Sequence, residues 1–444
     1  MSEEVSVYTV SLGCPKNRVD TERMLGALGR HMVPADDVSS AQLVLVNTCG
    51  FIQPAIEESV QMILDLVAEI AEMEKPAIIA VAGCLVSRFG KDLQDELPEV
   101  DLWLSTHDLD AWPPMLEKAF ERTFEDAKWR KISTAPSYAY LKIGEGCSHK
   151  CHFCTIPSIR GPHKSRTLDE LYADAEDAVS QGIPELIIVG QDTTAYGTDL
   201  GLKDGLKQLI DRLLPLEEKG LQRLRLMYLY PAGLTEDFLS YMADVTEGGT
   251  KGPLLPYFDV PLQHAHPDVL ASMGRPFARD PWKVIQRIRK YFPDAAIRTS
   301  LIVGYPGETE EQFEALLEFI QKARFHHMGV FPYWGEEGTP AAAMENQIDD
   351  EVKMQRKERA MALQAEISKE IMEEYCGMQL PVLVEAPNDE WPGLFTGRVW
   401  FQAPDVDGIT YVSSDPEMED ELAVGCIVHA DIESTSTYDL VALA

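Results

Sequence analysis

The sequence predicts an α/β protein in three parts: an amino-terminal domain on a parallel sheet, a partial (βα)6 barrel, and a small carboxyl-terminal β-barrel. Three observations predict it. Short apolar runs alternate with helix-period segments over most of the chain, the pattern of parallel strands joined by crossover helices. Six strand-like runs follow residue 138, too few to close an eight-strand barrel. Residues 376–444 then change character, alternating β-branched and polar residues between Gly and Pro punctuation, as a five-stranded barrel would. At 444 residues and 45% hydrophobic composition, two or three domains with cores of their own are expected.

In the first domain, residues 1–125, the runs Val5 to Leu12, Leu43 to Val46 and Ile78 to Val81 read as buried strands. Helical segments around Asp20 to Leu28 and Glu57 to Ile70 lie between them, and Asp101 to Glu125 ends the domain. Residues 126–137, charged and holding Pro136, read as a linker. The barrel, residues 138–345, has strand runs at Tyr138 to Ile143, Leu186 to Val189, Leu224 to Tyr228, Tyr257 to Val260, Ile297 to Val303 and Met328 to Phe331. Helical patterns at Leu168 to Val179, Leu202 to Leu214, Pro281 to Tyr291 and Glu310 to Lys322 separate most of them. Residues 346–375 form a connecting helix, with Leu363, Ile367 and Ile371 on one face.

The chemistry lies in the cysteines. Cys147, Cys151 and Cys154 stand at C-x3-C-x2-C spacing just after a strand run. Three thiolates hold three irons of a four-iron cluster and leave the fourth free to chelate a small molecule. The alternative is a zinc knuckle, for which His149 or His152 would have to supply the fourth ligand. Cys14, Cys49 and Cys84 recur 35 residues apart, each after an apolar run. The carboxyl ends of parallel strands share one edge, so these cysteines are expected to meet there, and a second cluster is a better reading than three unrelated core thiols. Cys376 and Cys426 stand outside both sets and read as structural.

The first spacing, with Phe153 before its last cysteine, resembles radical S-adenosylmethionine (SAM) enzymes, whose open iron binds the amino and carboxylate groups of SAM. The doubled cysteine set resembles the methylthiotransferases, from Val5 to about Leu440. Within that family, Ser11-Leu-Gly-Cys-Pro-Lys-Asn-Arg-Val-Asp-Thr-Glu22 and Cys154-Thr-Ile-Pro-Ser-Ile-Arg-Gly-Pro-His-Lys-Ser-Arg166 are similar to the RimO branch, which modifies an aspartate of the twelfth small-subunit ribosomal protein. The transfer RNA branch typically has Gln-Met where this chain has Pro15-Lys16.

The resemblance implies two 4Fe-4S clusters, SAM, and a carboxyl-terminal TRAM barrel. It further implies SAM-pocket roles for Gln191 or Asp192 after the second barrel strand, although the wider superfamily often has Gly-Gly-Glu there. Gly304 and Gly307 match the motif whose backbone cradles adenine, the alternative being an ordinary Gly-Pro turn. Gln263, His264 and Arg275 match residues lining the pocket, with a core histidine as the alternative for His264. Arg298 is a candidate for the SAM carboxylate, while Arg160 and Arg166 are open to pairing surface acids. No side chain is expected to act as a general acid or base, because an aspartate β-carbon calls for a radical rather than a base.

Charge narrows the partner. With 39 basic and 73 acidic residues the net charge is −34, which disfavours nucleic acid as a direct substrate and favours a basic loop of a ribosomal protein. From Gly377 to Ala444 there are 13 Asp and Glu against Arg398 alone, and this tail, with Glu417, Glu419, Asp420 and Glu421, is expected to read that loop. An electron donor such as flavodoxin or ferredoxin and a sulfur donor are required. Met1-Ser-Glu-Glu is unlike a signal peptide, no apolar run spans a bilayer, and oxidisable clusters need a reducing compartment, so a cytoplasmic enzyme is expected. A transfer RNA methylthiotransferase and a non-catalytic iron–sulfur protein of the ribosome are the competing functions.

Overall fold

β1 (Val5–Ser11), β2 (Met32–Pro34), β3 (Leu43–Thr48), β4 (Ile78–Gly83) and β5 (Leu102–Ser105) pair in parallel in the order β2-β1-β3-β4-β5. The structure, a computed structural model, describes residues 4–247, 249, 252–275, 280–414 and 422–444. Helices cover both faces of the sheet, which is why β3 is apolar without alternation. Its Leu43 and Leu45 join the core of α1 (Pro15–Gly26) and α4 (Trp112–Ala119), whereas Val44 and Val46 join that of α2 (Gln53–Ala71) and α3 (Cys84–Glu96). Helix α1 begins five residues earlier than its periodicity predicts, because Pro15 sits in its first turn with φ already helical. The short β2 and β5, and α3 and α4, are not singled out by the sequence.

The linker has no regular secondary structure, yet it is held tightly. Arg130 is buried and pairs with Glu22 of α1 at 2.8 Å and with Asp174 of the barrel at 2.7 Å. The barrel strands are β6 (Tyr138–Lys142), β9 (Glu185–Val189), β10 (Arg223–Leu226), β11 (Tyr257–Asp259), β12 (Ala296–Val303) and β13 (His327–Pro332). They form two three-stranded parallel sheets, joined where Leu224 bridges Leu254 and Leu229 N–H donates to Asp259 O at 2.8 Å. The strand pair β7 (Gly144–Glu145) and β8 (Lys164–Ser165) closes the base of the cysteine loop, which continues into α5 (Ile156–Arg160).

Around the barrel run α6 (Leu168–Ser180), α7 (Gly205–Leu213), α8 (Glu236–Val245), α9 (Pro267–Ser272), α10 (Pro281–Tyr291) and α11 (Glu310–Ala323). Capping boxes at Thr167–Glu170 and Thr309–Gln312 satisfy the first amides of α6 and α11. The connecting helix α12 (Asp350–Glu374) is hooked to the barrel by Gln364, which donates to Phe325 O at 2.7 Å.

β14 (Gln379–Pro387), β15 (Leu394–Arg398), β16 (Thr410–Ser413), β17 (Ile427–Thr435) and β18 (Leu440–Leu443) close the last barrel in the order β14-β15-β16-β18-β17. Its β15–β16 segment plugs the amino-terminal end of the larger barrel, touching all six strands near their starts. Tyr138 and Tyr140 donate to Asp405, Glu185 pairs with Arg398 at 2.8 Å, and Arg225 donates to Trp400 O at 2.8 Å. Tyr257 and Arg298 reach Asp407, and His327 Nε2 meets Phe401 O at 2.8 Å.

Two expectations change here. Asp405 and Asp407 of the acidic tail are spent on this seal and are not free to read a partner, while Glu417, Glu419, Asp420 and Glu421 lie outside the described residues. Arg298 stands near the start of β12, paired with Asp259 at 3.2 Å and Asp407 at 3.3 Å, so its charge is already matched and it is not placed to take a SAM carboxylate.

Candidate active site: two facing cysteine triads

Cys147, Cys151 and Cys154 lie in the loop between β7 and α5, at the carboxyl end of β6. Gly146, at φ +69°, starts it: a Cβ there would strike the carbonyls of Arg160, Gly161 and Pro162, and without one Cys147 N–H donates to Gly161 O at 3.0 Å. His152 Nδ1 sits 2.7 Å from Ser272 O, and its N–H donates to Met273 O at 2.9 Å. His149 Nε2 lies 2.6 Å from Asp192 and its ring stacks on Tyr230 at 3.8 Å. Both histidines are thereby taken up by other partners. Burial raises the Cys147 thiol and pushes Cys154 up to about 12, a shift that a bound cation would oppose by favouring the thiolates.

The other three cysteines meet at the sheet edge. Cys14 caps α1 after β1, Cys49 follows β3 and Cys84 opens α3 after β4, and these strands are adjacent and parallel. Asn17, fully buried, ties them: its Nδ2 donates to Leu12 O at 3.0 Å and Thr48 O at 2.9 Å, and its Oδ1 lies 3.6 Å from the Cys84 sulfur. Burial pushes Cys49 up to about 11 and raises Cys84. At Cys14 burial is outweighed by Lys16 and Arg160, which hold its thiol below the ordinary value.

The two triads are linked at the domain junction through one side chain. Arg160, at the end of α5, donates to the Cys84 sulfur at 3.3 Å and pairs with Asp20 at 3.1 Å and Glu145 at 2.8 Å. Lys142 joins the same two carboxylates. Against the penalty of burial, Lys142 and Arg160 hold Glu145 down at about 2. Arg88 pairs with Glu336 at 2.8 Å, and Gln53 N–H donates to the same carboxylate at 2.9 Å. Among the described residues no three His, Cys, Asp or Glu side chains close to the spacing of one metal ion. Two open sets of three soft thiols, without a fourth protein ligand among the described residues, suit iron–sulfur clusters.

The other expected site residues separate by what already holds them. Both amide atoms of Gln191 and the Nε of Arg275 are buried without a hydrogen-bond partner among the described residues. Arg275 otherwise donates to Pro261 O at 2.8 Å and lies 3.7 Å from the Cys151 sulfur. Gln263, at φ +76°, is a non-glycine residue in the left-handed region at the barrel's carboxyl end, a strain that functional sites retain. Gly304 adopts φ +71° where a Cβ would strike Lys353, and Glu308 accepts the amides of Gly304 and Tyr305, fixing the turn that ends at Gly307. Phe153 packs among Leu270, Met273, Tyr305 and Tyr333.

Two expected residues are spent internally. Asp192 accepts the amides of Thr194 and Ala195 with one oxygen and meets His149 with the other. His264 is fully buried, accepting from His266 N–H at 3.0 Å and facing Glu308 at 3.5 Å, the core-histidine alternative. A cavity of about 430 Å³ opens beside Cys147, lined also by His149, His163, Asp192 and Asp199. Sequence reading missed Asn17, Lys142, Glu145 and Tyr228. Their partners lie on other elements, and only the left-handed Tyr228, φ +59°, would be conspicuous once a backbone exists.

This arrangement defines a radical SAM enzyme. The Radical SAM superfamily model matches residues 141–320, Uncharacterized protein family UPF0004 matches 6–105, and the TRAM domain matches 376–444. Ribosomal protein uS12 methylthiotransferase RimO of Nitratidesulfovibrio vulgaris is 56% identical, covering 99% of this chain and 100% of that protein. The RimO proteins of Lawsonia intracellularis, 49% identical over 100% of this chain and 98% of that one, and of Aquifex aeolicus, 40% identical over 98% and 96%, extend the likeness. The chain belongs to the RimO family of methylthiotransferases, so SAM and a 4Fe-4S cluster are its cofactors. The structure of the radical SAM methyltransferase TsrM from Kitasatospora setae shares the fold, with a TM-score of 0.55 at 15% identity, covering 89% of this chain and 77% of that one. Among the described residues no helix is long and apolar enough to cross a membrane.

Proposed function

We propose that this chain transfers a methylthio group to the β-carbon of an aspartate in ribosomal protein uS12, using two four-iron clusters, one on Cys147, Cys151 and Cys154 and one on Cys14, Cys49 and Cys84. The observation that carries this reading is the linking of two thiol triads at one junction by Arg160, which ends the helix following one triad and donates to Cys84 of the other. When bound, such clusters supply a hydrogen-abstracting radical from SAM and an open iron for sulfur, which an unactivated carbon requires.

The chain's own residues bind, orient and exclude water. Arg275, a buried guanidinium whose Nη1 lies beside Cys151 and whose Nε has no partner among the described residues, suits the SAM carboxylate, and the Gln191 amide, likewise unpartnered among them, suits its other polar groups. The pinned backbone from Gly304 to Gly307 offers a face to adenine, and Phe153 belongs to the apolar wall. Asp192 and His264 act through their neighbours, His149 and Glu308. The plug at the amino-terminal end keeps water from entering there. Electrons come from a donor such as flavodoxin or ferredoxin and sulfur from an external donor, in a reducing cytoplasm.

The charge of −34 favours a basic ribosomal protein over transfer RNA. Mass spectrometry of uS12 and of transfer RNA, from cells lacking the gene and from complemented cells, tests the reading. The expected result is loss of the methylthio mass from uS12 alone. Loss from transfer RNA with uS12 unchanged refutes it.

A further inference from the structure

Lys16 is a buried cation without a carboxylate. It stands in the first turn of α1, two residues after Cys14, and is more than nine-tenths buried. Its ammonium lies 3.4 Å from the centre of the Tyr228 ring, so the side chain leaves its own domain and crosses the junction to the end of β10. The neighbouring basic groups are matched: Lys142 and Arg160 with Asp20 and Glu145, Arg88 with Glu336, and Arg298 with Asp259 and Asp407. Lys16 has no such pair among the described residues. An aromatic face recovers only part of what an ammonium loses on leaving water, so a position like this is tolerated where a ligand brings the anion. Tyr228, which holds the ammonium, is itself kept in the left-handed region.

We propose that Lys16 receives the side-chain carboxylate of the substrate aspartate and so determines that the target is an acid. The inference rests on the function proposed above and deepens it. The β-carbon is bonded directly to the carboxylate carbon, so a carboxylate held at Lys16 keeps that carbon beside the Cys14 triad. An asparagine would leave the ammonium without a carboxylate, which gives the site a reason to reject the amide. Lys16, like Arg160, also lowers the Cys14 thiol, but it is Arg160 that donates to a cysteine sulfur and is matched by Asp20 and Glu145, whereas the Lys16 ammonium is directed at the Tyr228 ring and meets no carboxylate among the described residues.

The test measures binding of uS12, and of uS12 with the target aspartate changed to asparagine, to reconstituted holoenzyme, with iron content determined in parallel. Wild-type enzyme should bind the aspartate form about thirty-fold or more tightly than the asparagine form. Lys16→Gln should bind the aspartate form as poorly as the asparagine form while retaining its iron, and Lys16→Arg should restore much of the preference. Equal discrimination by Lys16→Gln and wild type overturns the inference. So does loss of iron from Lys16→Gln, which would make Lys16 a counter-charge. If wild type binds uS12 but ignores the change of aspartate to asparagine, Lys16 alone is misassigned. If it binds neither form, the substrate reading falls and takes this inference with it.

Discussion

The Nε of Arg160 donates to the sulfur of Cys84 at 3.3 Å, joining the helix that follows the Cys147, Cys151 and Cys154 loop to a cysteine of the other set in another domain. The same guanidinium holds Asp20 of the first domain and Glu145 of the second. One fully desolvated side chain therefore sets how the sites face, and a planar fork does this better than a point charge.

Arg160→Ala should leave Asp20 and Glu145 sharing only Lys142 and destabilise the chain by about 3–5 kcal/mol. Urea unfolding measures this, and the iron bound by the Cys14 triad should fall with it. Arg160→Lys should be intermediate. Wild-type stability and iron content in Arg160→Ala would show that the contact is incidental.

Anaerobic reconstitution should load about eight irons per chain, and replacing Cys147, Cys151 and Cys154 together by Ala should halve that. The triple change Cys14→Ala, Cys49→Ala, Cys84→Ala should still release 5′-deoxyadenosine from SAM but form no methylthio product. Chromatography of both products checks this. A well-folded triple variant that no longer cleaves SAM would contradict the division of labour.

The seal at the foot of the barrel should report on acid. Burial opposes ionisation of Glu185, but Arg225 and Arg398 hold it down at about 2, below the roughly 4.3 of an unfolded glutamate. A depressed carboxylate contributes stability that is complete above the unfolded value and is lost as pH falls from there through about 2. Glu185→Gln should cost about 3–5 kcal/mol at neutral pH by stranding the buried Arg225 guanidinium and leaving Arg398 only Glu385 as its carboxylate. The gap between variant and wild type, followed by urea unfolding, should narrow between about pH 4.3 and 2. A constant gap would assign the stability to another group.

Association with uS12 should slow as salt rises, because a chain of net charge −34 meets a basic partner by long-range attraction. Stopped-flow binding at several ionic strengths measures it. A salt-independent rate, or effective competition by transfer RNA, would remove the electrostatic argument for a protein substrate.

Sequence alone determined the three-part α/β order, the six barrel strands to within a residue or two at most ends, and both cysteine sets, since apolar periodicity and thiol spacing are local properties of the chain. The turn from Gly304 to Gly307 is legible there too, because turn chemistry is written in the residues themselves. Only the tertiary structure decided which charges are free. Arg298 and Asp192 look available in sequence but are spent on Asp407 and His149, whereas Arg275 and Lys16, both singled out in sequence, have no carboxylate partner among the described residues. The linker residue Arg130 proved buried, and the last barrel proved to be a plug, for the same reason. Ion pairs and hydrogen bonds join residues more than a hundred positions apart, and no periodicity carries that information.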